Sequence, residues 1–403
     1  DGVDELAVTY EAINGDVTTS IINGVTQAEI KLLKYPNNFS QFTVHKFADM
    51  NNNGASEIGL FGVIEDANTN AGLRSKLMVK DVKTGATVQN YSWAGNWTQV
   101  HFTPLADLND DGVVEVGMQG LFYIGDRPQL LIRDGVSSQA LHKYSFPALM
   151  NNAKYLQLSD MNGDEVPEVG MLGRLKTNNK IQVKVISGTD STNKMPAYNF
   201  GDNWEDDEWV TLEDIDFDGE NDVALYGRRT DTGQVQLFTK SGVSRVGTLG
   251  IYSWPNDFVS HEPVIVPDVN ADSISEIAVG GLRESSNRYQ IIVKNGTDRN
   301  DTMFSIGWPN NVTGGRFVAI EDFDGDEVVD IGLLGQTASG TFELSIKNLF
   351  NVKVSTFNLG SDWLKRPTLT VVPDITGNGY NDIIVYGENL YGQHKLEVLS
   401  DLH

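Results

Sequence analysis

The chain has no cysteine. Disulfide staples, thiolate zinc sites and cysteine nucleophiles are thereby excluded, although the compartment is not fixed by that absence. Basic residues are scarce, with 30 Lys and Arg against 55 Asp and Glu and a net charge of −25. Such a balance argues against nucleic acid or an anionic membrane as partner. No apolar run approaches the ~20 residues of a membrane-spanning helix, so membrane insertion is not expected. There are six histidines, and no H-E-x-x-H, G-x-S-x-G or phosphate-binding glycine loop occurs. No segment sustains a 3.6-residue period, which predicts almost no helix. The 403 residues allow two to four domains or one large β-architecture. The first residue is Asp rather than an initiator Met, as expected of a processed chain. What is abundant is glycine, 40 residues, and carboxylate. So many like charges need a counter-charge, and divalent cations are one answer.

A single pattern, D-x-[DNT]-x-[DN]-x-x-x-[DE]-[IV], recurs seven times at intervals of 52 to 58 residues. Thirteen residues after each starting Asp stands a glycine: Gly62, Gly120, Gly173, Gly227, Gly281, Gly335 and Gly387. An aromatic turn precedes most copies, as in Tyr35-Pro-Asn-Asn-Phe39, Trp93-Ala-Gly-Asn-Trp97, Phe200-Gly-Asp-Asn-Trp204, Trp254-Pro-Asn-Asp-Phe258 and Trp308-Pro-Asn-Asn-Val312. Between these signals lie short apolar or alternating runs punctuated by Gly, Asn, Asp and Pro. One repeat reads as four strands, in the second full copy about 100–106, 114–120, 129–133 and 141–146. Repeated four-stranded units predict an all-β fold, a β-propeller, because a lone blade cannot bury both faces whereas packed blades can. The repeats fall at about 1–40 (partial), 41–98, 99–152, 153–206, 207–260, 261–314, 315–365 and 366–403 (partial). Seven first strands predict seven blades, with eight as the alternative. In that seven-blade reading the strand near Ala28–Tyr35 completes the C-terminal blade, and the hairpin of about 5–23 is surplus. Asp1-Gly-Val-Asp-Glu5 matches the second half of a loop.

Each acidic loop presents oxygen side chains at positions 1, 3, 5 and 9. The richest are Asp214, Asp216, Asp218, Asp222 and Asp322, Asp324, Asp326, Asp330. Next come Asp107, Asn109, Asp111, Glu115; Asp160, Asn162, Asp164, Glu168; and Asp268, Asn270, Asp272, Glu276. The poorest are Asp49, Asn51, Asn53, Glu57 and Asp374, Thr376, Asn378, Asp382. Alternate residues of a tight loop can converge on one hard cation, and Ca²⁺ accepts six to eight oxygens in flexible geometry. Several structural Ca²⁺ ions are therefore expected, and more ligand charge should bind them more tightly. Position 12 is apolar, for example Met118 and Leu225, so these are not EF-hand loops. Asp and Asn favour tight turns without metal too, but that alone does not account for 21 carboxylates at fixed offsets.

The D-x-[DN]-x-[DN]-G-x-x-[DE]-[IV]-[GA] loop with its later glycine resembles the FG-GAP/VCBS repeat of integrin α-subunit propellers and many secreted bacterial proteins. The resemblance spans nearly the whole chain. It implies that each loop joins strands 1 and 2 of a blade, that strand 1 is innermost, and that the ion is structural. Glu165, Ser273 and Glu327 depart from the usual position-6 glycine.

The histidines, His45, His101, His142, His261, His394 and His403, share no register, and the loop acids are already committed. No catalytic residue is predicted. Six of seven tryptophans sit in the aromatic turn, where packing is expected over sugar stacking. The chain thus reads as a secreted, Ca²⁺-loaded propeller with a binding, adhesion, matrix or filament role and an unidentified protein or glycan ligand. A polysaccharide lyase or lectin on the same scaffold is the alternative. An unpaired N-terminal hairpin would favour head-to-tail self-association.

Overall fold

The computed structural model describes residues 5–400 apart from 13, 25, 27, 37, 67–72, 245 and 246. The half-loop read at Asp1–Asp4, and His403, lie outside the described residues. All regular structure among the described residues is β-strand. Two compact units divide the chain, one covering Glu5–Asp202 and the other running from Asn203.

The first unit holds four antiparallel meanders. They are β1 to β3 (Leu6–Glu11, Val17–Ile22, Glu29–Tyr35) and β4 to β7 (Phe39–Phe47, Glu57–Glu65, Leu73–Asp81, Thr87–Trp93). Next come β8 to β11 (Trp97–Pro104, Val116–Phe122, Arg127–Arg133, Ala140–Ser145) and β12 to β15 (Met150–Gln157, Val169–Leu175, Ile181–Ile186, Lys194–Gly201). The second unit repeats the plan with β16 to β19 (Trp204–Thr211, Val223–Arg229, Val235–Lys240, Gly250–Trp254) and β20 to β23 (Phe258–Val266, Glu276–Arg283, Arg288–Lys294, Thr302–Pro309). It ends with β24 to β27 (Val312–Ile320, Asp330–Thr337, Phe342–Asn348, Lys353–Gly360) and β28 to β30 (Thr368–Val372, Asp382–Glu388, His394–Leu399). These are the blades of a β-propeller, and there are eight of them, six with four strands and two with three.

The seven-blade expectation is therefore corrected, and its alternative of eight holds. The segment Glu29–Tyr35 does not complete the C-terminal blade. It pairs with β2, while β28 to β30 remain three-stranded. Nor is the N-terminal hairpin surplus, because β1 and β2 pair from Leu6↔Ile22 to Glu11↔Val17 inside the first blade. The physical reason is apolar burial. Val17, Ile21, Leu33 and Tyr35 pack with Phe39, Ile58 and Leu60 of the next blade. Three strands with one well-covered face hold together without a fourth.

Second strands are rich in buried apolar residues because blades pack face to face with their neighbours within a unit. Leu60, Leu77 and Val79 are wholly buried, and comparable cores lie between the other adjacent blades. The aromatic turns are packing devices, as expected: Tyr35, Trp93, Phe146, Phe200, Trp254, Trp308 and Leu359 are all 4% exposed or less. Cations cap several of them, Lys80 over Tyr35 at 5.8 Å, Arg133 over Trp93 at 5.7 Å and Lys347 over Trp308 at 5.4 Å.

The repeated glycine has a specific partner. First strands bulge at Ser40/Thr43, Thr98/His101, Asn151/Lys154, Glu205/Glu208 and Thr313/Arg316. The bulge places Gln41, Gln99, Asn152, Asp206 and Gly314 at positive φ. Opposite each bulge stands the glycine of the second strand, where an added Cβ would lie 2.6–3.1 Å from the nearest atom of the first strand. In the sixth blade a Cβ on Gly281 would lie 2.0 Å from the Ser260 carbonyl oxygen. Gly281→Ala should therefore destabilise the protein by about 1–3 kcal/mol through overpacking, read as a lower denaturation midpoint. A midpoint equal to that of the parent chain would contradict this close approach.

Candidate metal centres

All seven acidic loops join the first and second strands of a blade, and all adopt one backbone shape. Position 4 has positive φ in every copy: Asn52, Asp110, Gly163, Phe217, Ala271, Gly325 and Gly377. So does position 6: Gly54, Gly112, Glu165, Gly219, Ser273, Glu327 and Gly379. The departures from glycine therefore leave the loop intact, with Glu165 at 65°, Ser273 at 70° and Glu327 at 63°. Each side chain held there costs about 1–2 kcal/mol.

The position-1 aspartate shapes the turn. Asp49 accepts from the backbone N–H of Asn51, Asn53 and Gly54 at 3.3, 3.1 and 2.6 Å. Asp107, Asp160, Asp214, Asp268, Asp322 and Asp374 accept equivalent bonds. Burial is outweighed by these donors, so the carboxyls of Asp49, Asp107, Asp160 and Asp268 sit below the usual range. This much is turn chemistry and needs no ion.

Position 9 is different. Glu57, Glu115, Glu168, Asp222, Glu276, Asp330 and Asp382 are all 0% exposed. Each takes the N–H of position 2, for example Met50 to Glu57 at 2.8 Å and Phe323 to Asp330 at 2.9 Å. Its second oxygen meets three different fates. In three loops a position-3 side chain donates to it: Asn51 to Glu57 at 2.7 Å, Asn162 to Glu168 at 2.7 Å and Thr376 to Asp382 at 3.1 Å. In two loops a backbone N–H does so, Gly242 to Asp222 at 3.0 Å and Gly296 to Glu276 at 2.8 Å. In the remaining two, Oε1 of Glu115 and Oδ1 of Asp330 are buried with no partner. Burial, reinforced by the neighbouring loop carboxylates, pushes Glu115 and Asp330 up to about 7 and Asp222 up to about 6.

Three loops bring carboxylate oxygens within 4.8 Å of one another: Asp107, Asp111, Glu115; Asp214, Asp216, Asp218; and Asp322, Asp324, Asp330. The Asp214 and Asp322 loops are those richest in acid, and the Asp107 loop joins them. The loops at Asp49, Asp160, Asp268 and Asp374 form no such cluster of three among the described residues.

One part of each site is absent from the nine-residue motif. The end of the third strand reaches position 5 or position 3. Ser241 donates to Asp218 at 2.8 Å, Asn348 donates to Asp326 at 3.0 Å, and Asn109 donates to Asp134 at 2.7 Å. Asp81 plays the same part in the first loop, accepting from Asn51 at 3.0 Å and from Asn53. A polar residue 26 or 27 positions after the first Asp was the available signal in the sequence for Asp134, Ser241 and Asn348, whereas Asp81 stands 32 positions after Asp49. The following turn is pinned by a tyrosine of the preceding blade, Tyr91 to the Gly135 carbonyl and Tyr144 to the Gly188 carbonyl, both at 2.5 Å.

Elsewhere one His–Tyr–Arg grouping occurs. His261 Nδ1 lies 2.7 Å from the hydroxyl of buried Tyr226, near Arg228. The Arg228 guanidinium is spent on the carbonyls of Gly233, Asn256 and Phe258, so this grouping ties two blades together.

No protein-family model matches the chain, and no curated protein sequence does either. Solved structures show the fold. The chain resembles the BP39L lectin from Burkholderia pseudomallei at 9% identity and a TM-score of 0.51, covering 91% of this chain and 97% of that one. It resembles the Dos1 propeller at 9% identity and a TM-score of 0.50, covering 98% and 93%. At such identity the likeness is one of fold alone.

Proposed function

We propose that this chain is a calcium-stabilised extracellular β-propeller of the FG-GAP/VCBS type, a binding or structural module rather than an enzyme. The observation that carries the proposal is the buried position-9 carboxylate whose second oxygen, in Glu115 and Asp330, has no protein partner. An unpaired carboxylate oxygen out of water costs several kcal/mol unless a cation or donor meets it. Clustered carboxylate oxygens on a flexible loop suit Ca²⁺ better than the small, rigidly octahedral Mg²⁺. Modest carboxylate sites fill at the millimolar Ca²⁺ found outside cells, which supports the secreted location. Repetition supports a scaffold role, because the same loop serves seven blades whereas catalysis would single out one.

The open sheet edges offer a route to assembly. Among the described residues β1 pairs only with β2 and β30 only with β29. With β1 and β30 as sheet edges among the described residues, head-to-tail contact between copies would extend both sheets. Negative-stain microscopy and sedimentation of the purified chain in Ca²⁺ and in EDTA test this, alongside depolymerisation assays on anionic polysaccharides. Ca²⁺-dependent self-association or ligand binding without turnover is expected. Polysaccharide cleavage by the purified chain would overturn the non-enzymatic reading.

The charge ranking of the loops becomes a test of calcium dependence. Burial and the charges of Asp218 and Asp214 hold the Asp216 carboxyl above its usual range, so without metal it is a repulsive group. Asp216→Ala should be neutral or stabilising in EDTA and destabilising in Ca²⁺, on the order of 1–3 kcal/mol. Asn51 bonds Glu57 and Asp81 directly, so Asn51→Ala should cost the same in both buffers. Thermal melts of the two variants read the difference, and an Asp216→Ala effect indifferent to Ca²⁺ would contradict it.

A further inference from the structure

We infer that the loops differ in their need for an ion: in three of the seven a side chain of the protein takes its place, and in two a buried carboxylate oxygen is left for it. The inference rests on the calcium reading above and adds which loops bind. In the loops at Asp49 and Asp160 the position-3 asparagine turns its amide nitrogen inward, 2.7 Å from Glu57 Oε1 and 2.7 Å from Glu168 Oε1. In the loop at Asp374 the hydroxyl of Thr376 does the same to Asp382 Oδ1 at 3.1 Å. An N–H or O–H directed at the carboxylate satisfies it as a cation would, and an amide NH₂ cannot ligate Ca²⁺. These loops are closed by the protein itself.

The loop at Asp107 has the same residue at position 3 in the opposite orientation. Asn109 sends its amide nitrogen outward to Asp134 Oδ2 at 2.7 Å, and its oxygen accepts the Asp111 N–H at 3.0 Å. Glu115 Oε1 is left buried and bare beside Asp107 and Asp111. In the loop at Asp322 position 3 is Asp324, a carboxylate with no N–H to offer. Asp330 Oδ1 is bare there, with Asp322 and Asp324 oxygens close by. These two loops are therefore ion-requiring. The Asn109 amide goes to Asp134, whereas the Asn51 amide reaches both Asp81 and Glu57, so what separates the two loops is whether the amide also reaches position 9. The closed loops fasten their blades at any Ca²⁺ concentration, and the open ones make stability answer to it.

The test is a density map of the full chain crystallised in millimolar Ca²⁺. Ion density is expected at Asp107–Glu115 and at Asp322–Asp330, and none at the loops of Asp49, Asp160 and Asp374. Glu115→Gln and Asp330→Asn bring their own N–H and should each abolish one ion while the chain still folds. Conversely, Asn51→Asp and Asn162→Asp remove the internal donor and should each create a new ion site. Density in the three closed loops of the parent chain overturns this inference and leaves the calcium reading standing. Absence of density from every loop defeats the calcium reading itself. Asn51→Asp or Asn162→Asp chains that fold without gaining an ion overturn the substitution of amide for cation.

Discussion

Stripping Ca²⁺ with EDTA should lower the melting temperature by on the order of 5–10 °C. An ion that binds only the folded chain contributes RT ln(1 + [L]/Kd), about 2.7 kcal/mol per site at a hundredfold excess over Kd. Each unit of about 200 residues holds one of these two sites and shifts by roughly 2–4 °C per kcal/mol, about 5–10 °C in all. The stripped loops add a penalty of their own, since three carboxylates in each cluster lie within 4.8 Å of one another. Restoring Ca²⁺ should restore the melt, and Mg²⁺ at equal concentration should restore less of it. Equal melting temperatures in EDTA and in Ca²⁺ would contradict the ion-requiring loops at Asp107 and Asp322.

Without metal, stability should fall as pH rises, the reverse of ordinary acid denaturation. Glu115 moves from an ordinary value of 4.5, and Asp330 from 3.8, up to about 7 on folding, through burial and the charges beside them. A group whose folded value is raised stabilises fully below its unfolded value, and that stability is lost as pH climbs through the folded value. The loss therefore runs from about pH 4 to above pH 7, at up to about 3 kcal/mol for each group. The position-1 aspartates, lowered on folding, act in the opposite sense only below about pH 4. Bound Ca²⁺ requires the ionised carboxylates, so its contribution grows with pH and cancels the fall. Melts between pH 5 and 8 should slope downward in EDTA and be flat or rising in Ca²⁺. A rise with pH in EDTA would mean that Glu115 and Asp330 are not held in a charge-averse site.

Much of this is legible in the sequence. The fixed offsets of Asp, Asn and Gly located the seven acidic loops, and short apolar runs gave the strands of the one blade for which ranges were read. That blade, β8 to β11, follows the expected order with shifts of one to three residues. Blade number was misjudged for a physical reason. Counting first strands counts only blades that have one, whereas β1 to β3 bury enough apolar surface to stand without it. The bulge in the first strand also escaped notice, although its mark, the glycine of the facing strand, was plain. That glycine had been read as a repeat marker, not as the place where a carbonyl comes too near for a Cβ. The hardest feature to read was the direction of a side chain. Asn51, Asn109 and Asn162 occupy one motif position, yet an asparagine offers both an acceptor and a donor. Only the neighbours decide which end faces the carboxylate. For Asn109 the amide goes to Asp134, far outside the motif.

Calorimetric titration of the chelator-stripped chain with Ca²⁺ tests the central claim most directly. Saturable binding of at least two ions per chain is expected, with one ion lost in Glu115→Gln and one in Asp330→Asn. No saturable binding at millimolar Ca²⁺, or parent-like binding in both variants, would contradict it.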